Sequence, residues 1–189
     1  MYGDDSLIDA RLTQDGIKQC LTAAEHARNI DFRKVYVSPL RRTMETAYHI
    51  FKNHPNFEKI DFILAPEIRE KIGISGDIPL SNVEWLRAYD CMYKDMFKGR
   101  LDLTQMRGLL NRKQPWYFSS LSPETQRHLS SKMQVYFKND YTGAAIDTIT
   151  SIFPDRLEKI PNIKERGDKF RRQLLREVNS GKYQMAADG

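Results

Sequence analysis

Val35-Tyr36-Val37-Ser38-Pro39-Leu40-Arg41-Arg42-Thr43 decides how this chain folds. Three β-branched or aromatic residues, preceded by Asn29-Ile30-Asp31 and stopped by Ser38-Pro39, read as a short buried strand. Beyond them Met44, Ala47, Tyr48 and Phe51 recur at helical spacing, so a helix runs from about Leu40 to Phe51 and ends near Asn53-His54-Pro55. In this reading Ser38 is the N-cap and Pro39 the first helical residue. Free backbone N–H groups and the positive end of the helix dipole then meet at the C-terminal end of a strand, where they attract anions. An arginine in that first turn adds a planar fork of donors matched to phosphate oxygens, which lysine cannot reproduce. Taken alone, the segment fits equally well a capped helix with two solvated arginines.

Upstream, Thr13 can cap a helix whose apolar positions Ile17, Cys20, Leu21 and Ala24 carry it to about Arg28. Downstream, Phe62-Ile63-Leu64 is the next strand. Helix, strand, helix and strand joined by short connections predict an α/β domain with a parallel-type sheet flanked by helices. From about Ile74 to Asn139 the pattern changes to polar loops and amphipathic helices, one carrying Trp85, Leu86, Tyr89, Met92, Tyr93 and Met96. Ser122-Pro123-Glu124 starts another with a cap, a proline at the first helical position and an acid in the first turn. Residues 74–139 therefore read as a helical insertion, or cap, covering one end of the sheet within a single domain spanning 1–189. Final helices are expected over Thr142–Ile152 and Ile163–Val178, with Asn179-Ser180-Gly181 ending the regular structure.

Composition narrows the function classes. The 189 residues are enough for one domain with a real core. No run of 18 apolar residues and no signal-like start is present, which predicts a soluble, cytoplasmic protein that does not engage a membrane. Cys20 and Cys91 stand singly in helix-like patterns, without the spacing of a zinc site, and read as reduced, buried thiols. The net charge of +5 comes from 30 basic residues dispersed among 25 acids, which argues against a nucleic-acid surface.

Two segments carry a resemblance. Ser38, Leu40, Arg42, Thr43, Thr46 and Ala47 fit the pattern Ser-x-Leu-x-Arg-(Ala/Thr)-x-x-Thr-Ala, and Asp9, Leu12, Thr13, Gly16 and Gln19 fit Asp-x-x-Leu-Thr-x-x-Gly-x-x-Gln. Together, in this order, they resemble the histidine phosphatases of the phosphoglycerate-mutase-like superfamily. The resemblance implies a three-layer fold and makes Arg42, rather than Arg41, the phosphate-clamping arginine, with Ser38 and Arg41 beside it. If the helix starts at Pro39, the two arginines point about 100° apart, so that Arg42 faces the cleft and Arg41 faces solvent. Ile68-Arg69-Glu70-Lys71-Ile72-Gly73 takes the place of the family's Leu-Arg-Glu-x-x-Gly segment, making Glu70 the implied general acid; without the other two motifs the same glutamate reads as a surface residue paired with Lys71 or Arg69. Glu165-Arg166-Gly167 and the helix after it resemble the family's last helix.

The family's nucleophilic histidine, in an Arg-His-Gly strand, and its second histidine, after the last core strand, have no counterpart here. His26, His49 and His128 fall within predicted helices and His54 in a loop; His49, seven residues after Arg42, shares its helix face. The resemblance thus implies an incomplete domain whose terminal core strands lie outside this sequence, or an inactive relative completed by a partner strand. It implies phosphomonoester hydrolysis through a phosphohistidine in the complete protein, without cofactor or metal, on a phosphorylated small molecule or phosphoprotein. The alternative is a catalytically inactive module for binding or scaffolding, and a homo-oligomer is a further expectation. Glu70-Lys71-Ile72-Gly73, in place of the mutases' Glu-Arg-His-Tyr-Gly type of segment, favours a phosphatase over a mutase. Trp85, Arg87, Tyr89, Arg112, Lys113, Trp116 and Tyr117 are where substrate choice would reside, with aromatic packing under a cap as the competing reading.

Overall fold

Lys34–Val37 (β1) and Asp61–Leu64 (β2) run parallel, with Val35 opposite Phe62 and Val37 opposite Leu64. A computed structural model describes residues 8–72, 75–137, 158 and 160–180. Parallel neighbours need a crossover, and the helix Arg41–Phe51 (α2) supplies it. A third strand, Leu101–Asp102 (β3), pairs parallel with β2, giving the sheet order β1-β2-β3. The architecture is α/β, a parallel sheet flanked by helices, as the alternation of elements predicts.

Period-two alternation assigns the faces of β1. Val35 and Val37 join Phe62 and Leu64 against Met44, Ala47 and Phe51 of α2. Phe62 is wholly buried and meets the rings of Phe51, Phe57 and Phe97 at centroid distances of 5.8, 5.3 and 5.1 Å. Lys34 and Tyr36 point to the other face. There the Tyr36 hydroxyl donates to Glu177 Oε2 at 2.6 Å, Lys34 Nζ donates to the same oxygen at 3.0 Å, and the Tyr36 ring meets Phe170 edge-on. Those hydrogen bonds hold the Glu177 carboxyl below its ordinary range. A helix at Ile160–Asn179 thus covers the second face of β1.

The helix Gln14–Ala27 (α1) is capped by Thr13, whose hydroxyl accepts Gly16 N–H, and it packs on α2. Asn82–Ala88 (α3), a π-helical turn at Tyr89–Tyr93 and Lys94–Met96 (α4) form one continuous helical segment, started by a capping box between Ser81 and Glu84. Thr104–Leu110 (α5), a 3₁₀ turn at Trp116–Ser120 and Pro123–Phe137 (α6) follow, and the helix Ile160–Asn179 is α7. Ser122 caps α6 through Thr125 N–H.

Several expectations need correction. Residues 74–139 are not purely helical, because β3 lies within them. Cys20 is buried, but Cys91 is exposed on the π-helical turn. The expected helix at Thr142–Ile152 lies outside the described residues. Among the described residues no helix is long and apolar enough to cross a membrane.

Candidate functional site

Helix α2 starts two residues later than its sequence suggests. Leu40, in an extended conformation, is the N-cap, and Arg41 is the first helical residue. Ser38 is therefore not the cap, and the reason lies in distant contacts. Trp85 Nε1 donates to the Pro39 carbonyl at 2.8 Å, turning it away from the helix. The Ser38 carbonyl accepts the Thr43 hydroxyl at 2.6 Å. The Ser38 hydroxyl is buried without a hydrogen-bond partner.

Asp9 provides the cap. Its Oδ1 accepts Arg41 N–H at 2.8 Å and its Oδ2 accepts Leu80 N–H at 3.3 Å. One carboxylate thereby satisfies the first free donor of α2 and fastens the segment leading into α3. Asp9 is completely buried and adopts φ 45°, a left-handed conformation uncommon outside glycine. Burial pushes its pKa up to about 6, against the opposing pull of the two backbone N–H groups and the charges of Arg41 and Arg42.

This perturbation has a defined effect on stability. The proton is held more tightly in the folded chain than at the ordinary value of 3.8. The stabilisation linked to that proton is full below the unfolded value and disappears as pH rises through about 6. We expect this one group to remove up to about 3 kcal/mol between pH 4 and 7. Urea denaturation of the wild type and of Asp9→Asn across that range tests it: the difference between their stabilities should change with this sign, whereas parallel curves would contradict the assignment.

The two arginines are both half-buried, so Arg41 does not face solvent as the sequence reading has it. Arg42 Nη1 donates to the Gly76 carbonyl at 2.7 Å, and Nη2 meets Asp77 Oδ1 at 3.3 Å. The Arg41 guanidinium lies against the Tyr93 hydroxyl, with its Nε buried and without an acceptor. Tyr93 in turn donates to Glu45 Oε1 at 3.2 Å. Glu45, buried on α2, also accepts Arg11 Nε and Leu12 N–H. This chain of hydrogen bonds ties the π-helical turn, α2 and the 11–12 segment into one rigid surround for the α2 start.

Arg41 and Arg42 therefore lie close to Asp9, with Ser38 just ahead of them in the chain, but Glu70 does not join their described contacts. Glu70 is exposed, and its Oε1 accepts Lys71 N–H at 2.9 Å. The ordering group of this loop is Glu158, completely buried between Arg69 and Arg166. It takes both Arg69 Nη groups at 3.0 and 3.1 Å, Arg166 Nε at 2.9 Å and Ile72 N–H at 3.2 Å. Neither Asp9 nor Glu158 was singled out in the sequence as a site residue; the Asp-x-x-Leu-Thr pattern and Glu165-Arg166-Gly167 were the only signals near them.

The contacts of three histidines lie elsewhere. His54 Nε2 approaches the carbonyls of Ala27 and Ile30, His26 Nδ1 approaches that of Thr22, and the His49 ring meets Tyr48. His128 lies on α6. Of the residues expected to govern substrate choice, Trp85, Trp116 and Tyr117 are buried core, Tyr89 is half-buried and stacked on Trp85, and Arg87, Arg112 and Lys113 are exposed. Among the described residues no group of three or more His, Cys, Asp or Glu is placed to hold a metal ion.

Chemically, the junction offers a helix start, a buried hydroxyl lacking a partner and an arginine fork, an arrangement suited to binding an oxyanion. Residues 5–81 match the family model described as histidine phosphatase superfamily (branch 1), which takes in Asp9, the junction, Glu70 and Asp77 and ends at the N-cap of α3. No curated protein and no solved structure matches the chain.

Proposed function

We propose, from the match of residues 5–81 to the histidine phosphatase superfamily model, that the β1–α2 junction is the phosphoryl-binding end of a phosphomonoesterase site. The observation that supports it is the Ser38 hydroxyl, buried and unpartnered three residues before the first residue of α2. Unsatisfied buried donors are costly, and one just ahead of a helix start suits a ligand oxygen.

In this reading Arg42 clamps the phosphoryl oxygens and Ser38 donates to one of them. A histidine attacks phosphorus, its nitrogen bonding as the ester P–O bond breaks, and the departing oxygen takes a proton from Glu70, which has to turn toward the junction from the exposed position it holds. Water then attacks the phosphohistidine, releasing inorganic phosphate and restoring the imidazole. Arginine and N–H groups stabilise the developing charge, so the protein's part is largely electrostatic. Substrates are phosphorylated small molecules or phosphoproteins.

A second reading, an inactive module that binds rather than hydrolyses, is favoured by the engagement of Arg42 with Gly76 and Asp77. Turnover of p-nitrophenyl phosphate by the purified 189-residue chain separates the two. Hydrolysis abolished by Arg42→Ala rules out the second reading; phosphate binding that persists in Arg42→Ala removes the junction from both.

A further inference from the structure

The fork that would clamp a phosphoryl group is already occupied by a carboxylate. Arg42 Nη2 faces Asp77 Oδ1 at 3.3 Å and Nη1 donates to the neighbouring Gly76 carbonyl at 2.7 Å. Both Nη groups thus have acceptors from one short turn, and these are the two donors a bidentate oxyanion would use. We infer that Asp77 is a built-in competitor for the oxyanion on Arg42 and sets the affinity of the site. The inference rests on the phosphoryl-binding reading of the junction.

Two observations make the competition local. Ile78 is completely buried, and Leu80 N–H is held by Asp9 Oδ2, so the chain is anchored on the C-terminal side of Asp77. The Asp77 and Arg42 side chains retain 19% and 28% of their exposure, so their contact can open without unpacking the core. A phosphate dianion arriving at Arg42 meets the charges of Asp77 and Asp9 as well as those of Arg41 and Arg42. Holding the dianion beside an Asp77 still on the fork costs like-charge repulsion, which is relieved when Asp77 swings to solvent. Release of Asp77 and binding of the anion are then reciprocally coupled.

The test is calorimetric titration of inorganic phosphate, at pH 8, into the 189-residue wild type, Asp77→Asn, Asp77→Glu, Arg42→Ala and the Arg42→Ala/Asp77→Asn double variant. Asp77→Asn is expected to bind phosphate about tenfold more tightly, within the usual range of coupling between linked sites. Asp77→Glu retains the competing charge and should stay close to wild type. The gain should vanish in the Arg42→Ala background, a non-additivity that a general loosening of the turn would not produce. Unchanged or weaker binding by Asp77→Asn, with wild-type binding dependent on Arg42, overturns the competitor and leaves the site standing. Binding that survives Arg42→Ala, or no binding by either wild type or Asp77→Asn at millimolar phosphate, overturns the site itself.

Discussion

Glu158→Ala should destabilise the fold by about 3–5 kcal/mol, the cost of breaking a buried ion pair by removing one partner. Glu158 is the carboxylate between two arginines of which Arg69 is completely buried and Arg166 nearly so. Without it both guanidiniums stay in the interior without their shared carboxylate. Arg166 keeps the carbonyls of Glu67 and Arg69, and Arg69 keeps that of Glu70, but no negative charge in the described network replaces Glu158. The same substitution frees Ile72 N–H, so the 69–72 loop loses its attachment to the segment leading into α7. Urea denaturation with an unchanged slope should report the loss. A cost below about 1 kcal/mol would mean that both arginines reach water, contrary to their burial.

Arg42→Ala carries the other large effect, on chemistry. In a protein that hydrolyses phosphomonoesters through this junction, kcat/KM should fall by at least the ~10²-fold typical of losing one donor to a transition-state oxyanion. Arg41→Ala separates the roles of neighbours. Its guanidinium faces Tyr93 rather than Gly76 and Asp77, so its loss should cost about 1 kcal/mol of stability through the Tyr93–Glu45 network and leave turnover within a few-fold. Equal losses of turnover from both would show that the register of α2 relative to the anion is wrong.

What could be read in the sequence was local. β1, α2 and β2 announce themselves by apolar spacing within four to eleven residues, and the Thr13 and Ser122 caps by residues three positions away. The start of α2 was missed because it is set by Trp85 and Asp9, 46 and 32 positions from the groups they hold. A Ser-Pro pair before a helix looks like a cap until a distant indole takes the proline carbonyl. β3 has two residues and no periodicity of its own; it exists because β2 offers it an edge. The acid assigned by motif, Glu70, sits beside Arg69, and burial separates them: Arg69 turns inward to Glu158 while Glu70 stays at the surface. Fold class was therefore legible, whereas the carboxylates that hold the junction and the 69–72 loop, Asp9, Asp77 and Glu158, find their partners 30 to 90 residues away, a pairing that no local pattern announces.

The most direct test of the account is where an oxyanion binds. Crystals of the 189-residue chain soaked in tungstate, a tetrahedral oxyanion located by its anomalous signal, should show the anion at the start of α2. It should lie within hydrogen-bond distance of the Arg42 guanidinium and the Ser38 hydroxyl, with Asp77 displaced from Arg42. Tungstate seated instead in the cleft of about 440 Å³ lined by Trp116, Arg166 and Lys169, with Arg42 still bound to Gly76 and Asp77, would contradict it.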